Sequence, residues 1–151
     1  MVAPDGGLWL RDSSEQLLFE QDGTPVDAGD GVYLEGVRRV GAKVFGWHPY
    51  DGLFVFEEAT GWTRARSEGV VDVWGEPGNV WALGQQSAAG RPVLFHAEAD
   101  AGWTRYSGAN LYPPDFPATA DLYTLTGKGS RVMLLGPDTV NVGAWAVEFR
   151  R

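Results

Sequence analysis

The sequence Gly61-Trp62-Thr63-Arg64 returns 41 residues later as Gly102-Trp103-Thr104-Arg105. In both places it follows the same order of segments: a short aromatic-rich stretch, then a stretch in which apolar residues dominate. These stretches are residues 42–46 and 53–56 before the first copy, and residues 79–84 and 93–96 before the second. A repeat with a period of about 40 residues indicates a fold assembled from tandem copies of one supersecondary unit.

Each unit has the pattern of a small antiparallel sheet. Short runs rich in aromatic and β-branched residues are separated by glycine-containing turns, and the last run begins at Trp62 or Trp103. A further candidate strand precedes each unit, at residues 32–34 and at residues 70–74. Four strands in about 40 residues is the composition of one β-propeller blade.

Weaker copies of the unit stand at both ends of the chain. Their candidate strands lie at residues 8–10, 17–20 and 23–26 near the N-terminus, and at residues 121–125, 131–136 and 144–149 near the C-terminus. No segment shows a sustained helical period, so we expect little helix. We predict a single all-β domain of propeller-like, four-stranded antiparallel blades, with units at residues 3–31, 32–69, 70–108 and 119–151. The blades form a closed small ring, or a partial ring completed by oligomerisation of identical chains.

Residues 109–118 interrupt the repeat and contain three prolines, which prevent strand pairing and favour an extended loop. The loop carries two aromatic residues that look exposed, Tyr112 and Phe116. In one interpretation the loop is a connector whose aromatics cover the core. In the other it is a recognition loop, and we therefore include both residues among the candidate binding residues.

The third unit contains the most distinctive motif, Val71-Asp72-Val73-Trp74-Gly75 followed by Asn79-Val80-Trp81-Ala82-Leu83-Gly84. It resembles the Val-Trp-Gly and Asp-Val-Trp-Ala-Val-Gly units of bacterial β-propeller repeat proteins. The alternating strand, acidic turn and Gly-Trp-Thr that follow are similar to blades of the fucose-binding and tectonin-like propeller lectins. The resemblance covers roughly residues 32–108 and implies a propeller fold. For the lectins it also implies sugar sites between neighbouring blades, lined by Arg, Glu and an aromatic residue.

Two units carry a candidate set of this kind, each with an acid, a tryptophan and an arginine. The candidates are Glu57, Trp62 and Arg64 in the second unit, with Glu58 as an alternative acid, and Glu98, Trp103 and Arg105 in the third. Arg and carboxylate groups can hold sugar hydroxyls while Trp stacks on the apolar face of the ring. In the alternative interpretation, the tryptophans fill the space between blades and the arginines lie on a solvated edge.

Catalytic signatures are weak throughout the sequence. The chain has no cysteine and two histidines, His48 and His96, which excludes thiolate chemistry and a three-histidine zinc site. It contains neither a His-Glu-x-x-His motif nor a Gly-x-Ser-x-Gly elbow, and residues 127–130 fit a hairpin turn better than a phosphate loop. We therefore predict no catalytic residue, no metal and no cofactor. A small glycosidase-like enzyme is the second alternative, because a carboxylate pair cannot be recognised without its spatial separation.

The net charge of −8 disfavours nucleic acid and anionic membranes as partners. No apolar run is long enough to predict membrane insertion. The residues after Met1 lack the pattern of a secretory signal, which predicts a cytoplasmic protein; an extracellular protein whose leader has been removed is the alternative. The predicted function is a non-catalytic module that binds a protein surface or an assembly partner, and the first alternative is a propeller-type lectin that binds a glycan.

Overall fold

The structure is a computed structural model, and it describes residues 8–11, 17–21, 24–27, 34–57, 59–85, 91–98, 101–117, 120–138 and 143–151. Within these ranges the chain forms fourteen strands and one short 3-10 helix, Gly108–Asn110. The prediction of an all-β fold with antiparallel sheets is therefore confirmed. The described ranges do not show a closed ring of sheets.

The strands form antiparallel sheets of three or four strands, each built from consecutive strands. The first sheet consists of β1 (Leu8–Arg11), β2 (Leu17–Gln21) and β3 (Thr24–Asp27). The second consists of β4 (Gly36–Val40), β5 (Lys43–His48), β6 (Gly52–Glu57) and β7 (Gly61–Arg66). The third consists of β8 (Val70–Glu76), β9 (Asn79–Gly84), β10 (Leu94–Glu98) and β11 (Thr104–Tyr106). The fourth consists of β12 (Thr124–Lys128), β13 (Arg131–Asp138) and β14 (Gly143–Arg150).

Two predicted strands are shifted. The strand expected at residues 32–34 begins instead at Gly36, and Leu34 lies before it in a buried, non-strand position. The remainder of that prediction, residues 32 and 33, falls outside the described residues. The strand expected at residues 121–125 begins at Thr124. Leu34 and Leu122 are almost fully buried. Their apolar character therefore reflects core packing just outside a strand.

The second, third and fourth sheets pack face to face. Alternate side chains of a strand point to opposite faces, so the third sheet contacts a neighbour on each side. On β9, Val80 and Ala82 face the second sheet, whereas Trp81 and Leu83 face the fourth. We call the two contacts the second-to-third interface and the third-to-fourth interface. The core of the former contains Val40, Phe45, Trp47, Leu53, Val70, Val73, Val80, Ala82 and Phe95. The core of the latter contains Trp81, Leu83, Leu94, Leu111, Tyr112, Phe116, Leu122, Leu125, Val132, Leu134 and Val147, among others.

A buried carboxylate connects the first strands of these three sheets. Asp72 lies on β8, where the pairing with β9 shifts between Val70 and Asp72, and such a bulge re-aims a side chain. Its Oδ2 accepts a hydrogen bond of 2.7 Å from the backbone N–H of Leu125 on β12, and its Oδ1 accepts one of 2.8 Å from that of Val73. The Arg38 guanidinium on β4 lies 3.7 Å from Oδ1. Burial raises the pKa of Asp72.

The proline-rich loop covers the third-to-fourth interface and does not present its aromatics to solvent. Tyr112 and Phe116 are 3% and 7% exposed, and their rings stack at 5.1 Å. The Tyr112 hydroxyl donates a 2.5 Å hydrogen bond to the Pro92 carbonyl, and the Arg91 guanidinium lies over both rings. The two aromatics are therefore buried and not exposed. The loop is also not extended: it folds through the 3-10 helix Gly108–Asn110 and a turn in which the Phe116 N–H donates to the Pro113 carbonyl, and it covers apolar side chains of the interface. The connector interpretation agrees with this packing.

Candidate functional site

A groove opens between the second and third sheets, at the end where the β4–β5 and β8–β9 turns lie. It has a volume of about 460 Å³. Its lining residues are mostly apolar and come from both sheets: Val40, Gly41, Ala42, Lys43, Phe45, Val55, Pro77, Gly78, Val80, Ala97, Ala101 and Trp103.

Tight turns form the rim of the groove. Gly41 and Gly78 adopt left-handed backbone conformations, with φ of 62° and 78°, which glycine adopts without steric cost. The two turns approach closely, since a Cβ atom at Gly41 would lie 3.3 Å from the Cβ of Pro77. Ala101 and Trp103, at the β10–β11 connection, line the groove from the third sheet.

The chemistry of the lining suits an apolar group. Lys43 is the one ionisable side chain among the described residues that line the groove. Three small residues, Ala42, Ala97 and Ala101, leave the space open, and Trp103 offers an aromatic surface. No carboxylate pair lines the groove within the described ranges, and these ranges contain no group of three or more His, Asp or Glu side chains that could hold a metal ion.

The corresponding place in the third-to-fourth interface can be located from the strand register. Phe45 is the third residue of β5 and pairs with Val55, and Trp81 is the third residue of β9 and pairs with His96. Phe45 and Trp81 each face the sheet that follows in the chain. The groove and this second place are therefore equivalent positions in successive repeats.

Aromatic rings fill the equivalent place. Trp81, which is fully buried, stacks on His96 with ring centroids 3.8 Å apart. Phe149 meets Trp81 edge-on at 5.7 Å and Tyr106 at 4.6 Å. The third-to-fourth interface therefore holds packed rings where the second-to-third interface holds a groove.

Phe149 makes the largest difference between the two places. It pairs with Val132, the second residue of β13, just as Ala97 pairs with Val80, the second residue of β9. Phe149 and Ala97 are thus equivalent in the fourth and third sheets. The phenyl ring of Phe149 is thus replaced by the methyl group of Ala97, which lines the groove.

Hydrogen bonds link the polar groups at the edge of the filled place. His96 Nε2 lies 2.6 Å from Asn79 Oδ1, and Asn79 Nδ2 donates a 2.7 Å hydrogen bond to the Gly129 carbonyl in the β12–β13 turn. In the groove, Lys43 stands at the position of Asn79, and Val55 stands at that of His96. The groove therefore has a different polar composition as well as smaller side chains.

Burial and neighbouring charges lower the pKa values of His96 and Glu98 at the filled place. Burial is the main cause that lowers the pKa of His96; the positive charge of Arg151 adds to it, and Glu98 opposes it. Glu98 forms an ion pair with Arg151, and this hydrogen bond is the main cause that lowers the pKa of Glu98. The C-terminal residue is thereby tied to the third sheet.

The structure separates the candidate set predicted in the third repeat. Trp103 lines the groove, as a binding residue between neighbouring sheets would. Arg105, however, donates a 3.0 Å hydrogen bond to Ser107 Oγ, and Glu98 pairs with Arg151. The acid and the arginine thus have separate partners, and the structure does not place them together around Trp103.

In the set predicted in the second repeat, Trp62 and Arg64 lie on the face of the sheet opposite to the groove. Trp62 packs against Phe56 with ring centroids 5.4 Å apart, and the Arg64 guanidinium lies 5.4 Å from the centre of the Phe54 ring. Glu57 is exposed at the end of β6, where Thr60 Oγ1 donates to it at 3.4 Å. Glu58, the alternative acid, lies outside the described residues.

The residues that create the groove were not among the predicted site residues. Ala97, Val55 and Ala42 carry no chemical signature, so a search for reactive or sugar-binding groups passes over them. The signal that identifies them is a difference between repeats, a small residue where the neighbouring repeat has a large one. That signal needs the strand register, which relates Ala97 to Phe149.

Comparisons of the chain with protein-family models, with curated proteins and with solved structures find no match. Within the described residues, no helix has the length and apolar character needed to cross a membrane.

Proposed function

We propose that this chain is a non-catalytic binding module of the β-propeller type, whose sheets act as blades, and that it binds a protein partner through the groove. The face-to-face packing of consecutive four-stranded antiparallel sheets supports the blade assignment. The proximity of β4, β8 and β12 at Asp72 supports it further, since first strands of blades lie side by side around a propeller axis.

One observation carries the functional proposal: equivalent places in two successive interfaces are filled in one case and open in the other. Voids in a core cost stability, and deleting a buried ring costs about 3–5 kcal/mol. The third-to-fourth interface demonstrates that this fold can fill the place with Trp81, His96 and Phe149. An opening of about 460 Å³ is within the usual size range of ligand sites. We therefore assign the groove to binding.

The lining favours an apolar side chain of a protein over a sugar. Sugar sites need several convergent polar groups to hold the hydroxyls, and Lys43 is the one charged side chain among the described lining residues. A lectin is the second candidate, because Trp103 lies in a groove between neighbouring sheets, where the propeller lectins carry their sites. The separate partners of Glu98 and Arg105 weigh against it.

The proposal is tested by filling the groove. The variant Ala97→Phe places in the groove the ring that Phe149 provides in the next interface. We expect its free energy of unfolding to stay within about 1–2 kcal/mol of the parent, because the ring enters space that is already open. Ala146→Phe, on the exposed side of β14, is the matched control, since it adds the same ring away from the groove.

Both variants and the parent chain are presented to a displayed random peptide library and to a glycan array. We expect the parent and Ala146→Phe to select peptides with a common apolar residue, and Ala97→Phe to lose that selection. Equal selection by all three proteins would overturn the assignment of the groove. Retention of glycans that is lost in Trp103→Ala and Arg105→Ala would establish the lectin in its place.

A further inference from the structure

We infer that the groove takes an aromatic side chain that is followed two residues later by an arginine or lysine, on an extended segment of the partner. This inference rests on the proposed function and names the chemistry of the ligand. It derives from the molecule's own use of the equivalent place in the third-to-fourth interface.

The occupant of the equivalent place is an extended segment at the C-terminus. Phe149, on β14, inserts its ring beside Trp81 and Tyr106. Two residues further on, Arg151 forms an ion pair with Glu98. Residues i and i+2 of an extended strand point to the same side, so one segment delivers both the ring and the cation.

The residues that contact Phe149 and Arg151 in the filled place have counterparts at the groove. Glu57 corresponds to Glu98, because it lies two residues after Val55 as Glu98 lies two residues after His96, and Val55 and His96 are equivalent. Glu57 is exposed at the end of β6, on the side of the strand that Val55 shares. The groove therefore offers an apolar place for a ring at Val55, and Glu57, which is not itself a lining residue, offers a carboxylate two strand residues further along β6.

Charge complementarity favours a cationic partner. The chain carries a net charge of −8, which attracts basic segments over a long range and disfavours acidic ones. Lys43 lines the groove and is the feature that an acidic ligand would use. An aromatic residue followed by an acid is therefore the competing ligand, and the experiment includes it.

The probe is a fluorescently labelled hexapeptide, Ala-Val-Glu-Phe-Arg-Arg, which copies residues 146–151. Its binding to the full chain is measured by fluorescence anisotropy. We expect binding to weaken about tenfold or more when the peptide Phe is replaced by Ala, since burying a ring supplies more than the free energy of a tenfold change. Replacing the last Arg by Glu should weaken binding about threefold to tenfold at low salt, as expected for one exposed ion pair turned repulsive.

Variants of the protein identify the site that the peptide occupies. Ala97→Phe should abolish binding, whereas Ala146→Phe should not. This pair also separates the groove from exchange of the peptide with β14, because exchange does not depend on Ala97. Glu57→Lys should weaken binding of the parent peptide and strengthen binding of the peptide that ends in Glu, and this charge-reversal rescue is specific to a direct pairing.

The outcomes distinguish the inference from the proposal on which it rests. Equal or tighter binding of the peptide that ends in Glu, or no dependence on the Phe, would overturn the inference, while loss of binding in Ala97→Phe would still support the groove. No binding of the parent peptide up to millimolar concentration would also overturn the inference, and the library selection would then decide the proposed function separately. Binding that is unchanged in Ala97→Phe would overturn both.

Discussion

The second-to-third and third-to-fourth interfaces are built from equivalent strands, yet one is packed with rings and the other holds a groove. Trp81, His96 and Phe149 fill in one interface the place that Phe45, Val55 and Ala97 leave open in the other. The backbone of the repeat does not dictate whether this place is filled or open. Side-chain size at three positions decides it.

The polar side chains of the two interfaces also differ. In the filled interface, Asn79 and Gly129 complete a chain of hydrogen bonds that starts at His96, and Glu98 is paired. In the open interface, Glu57 is exposed at the corresponding point. The filled interface therefore contributes mainly to stability, and the open one is where we propose that a partner binds.

The largest expected effect is on the filled interface. Trp81→Ala removes a fully buried ring that contacts His96 and Phe149, and we expect it to lower the free energy of unfolding by about 4 kcal/mol. Phe45→Ala, the equivalent change beside the groove, should cost less, about 3 kcal/mol or below, because Phe45 already borders open space. Urea denaturation of the two variants measures the difference. Equal losses would mean that the two places are packed alike.

An intermediate effect is expected at Asp72, which contacts Arg38 across the second-to-third interface and Leu125 across the third-to-fourth interface. Asp72→Ala leaves the backbone N–H groups of Val73 and Leu125 without their acceptor, and we expect a loss of about 2 kcal/mol in the free energy of unfolding. The loss is moderated because burial of the charged carboxylate is itself unfavourable, as its raised pKa indicates.

Asp72→Asn is the matched control for that experiment. It keeps one acceptor in place and removes the buried charge, so it should cost less than Asp72→Ala. The measurement is again the denaturant midpoint at constant slope. A larger loss for Asn than for Ala would show that the connection between the first strands does not depend on these hydrogen bonds.

The smallest effect is a dependence on pH that arises from His96 in the filled interface. The pKa of His96 is lowered from its ordinary value of 6.5 in the folded chain. A group with a depressed folded pKa stabilises the fold above its unfolded pKa and loses that contribution as pH falls through the folded pKa. We therefore expect the free energy of unfolding to decrease as the solution is acidified below about pH 6.5.

The variant His96→Val tests this dependence, because it introduces the residue found at the equivalent position, Val55. Its free energy of unfolding should change less between pH 7 and pH 5 than that of the parent, whatever its absolute stability. The closeness of His96 to Trp81, 3.8 Å between ring centroids, offers a second readout, since tryptophan emission should respond to protonation of the neighbouring ring. An unchanged pH slope in His96→Val would assign the dependence to other groups.

Much of the secondary structure follows from local patterns in the sequence. The hairpins of β5 with β6 and of β9 with β10 were predicted from alternating apolar runs and glycine turns, and the structure confirms them. The prediction failed at Leu34, which is apolar because it is buried next to a strand and not within one. At Tyr112 and Phe116 the sequence left a connector and a recognition loop as alternatives, because the prolines indicated a loop correctly but gave no information on which surface the loop covers.

The candidate site was predicted only in part, for a physical reason. Trp103 was selected because tryptophan is a chemically distinctive residue, and it lines the groove. Ala97 is not distinctive, and its importance appears only when the strand register shows that Phe149 holds the same position in the next sheet. The structure does not bring Glu98 and Arg105 together, because Arg151, distant in sequence, pairs with Glu98 and Arg105 donates to Ser107.

The repeat of Gly-Trp-Thr-Arg, the alternation of apolar residues and the glycine turns are enough to establish the β class and the succession of antiparallel sheets, because strand formation and tight turns depend on neighbouring residues. The burial of Asp72 between three strands, the cover provided by the proline-rich loop and the contrast between a filled and an open interface all depend on contacts between sheets. Those contacts join residues far apart in the chain. Only the tertiary structure decides which side chains share one space and which leave it empty.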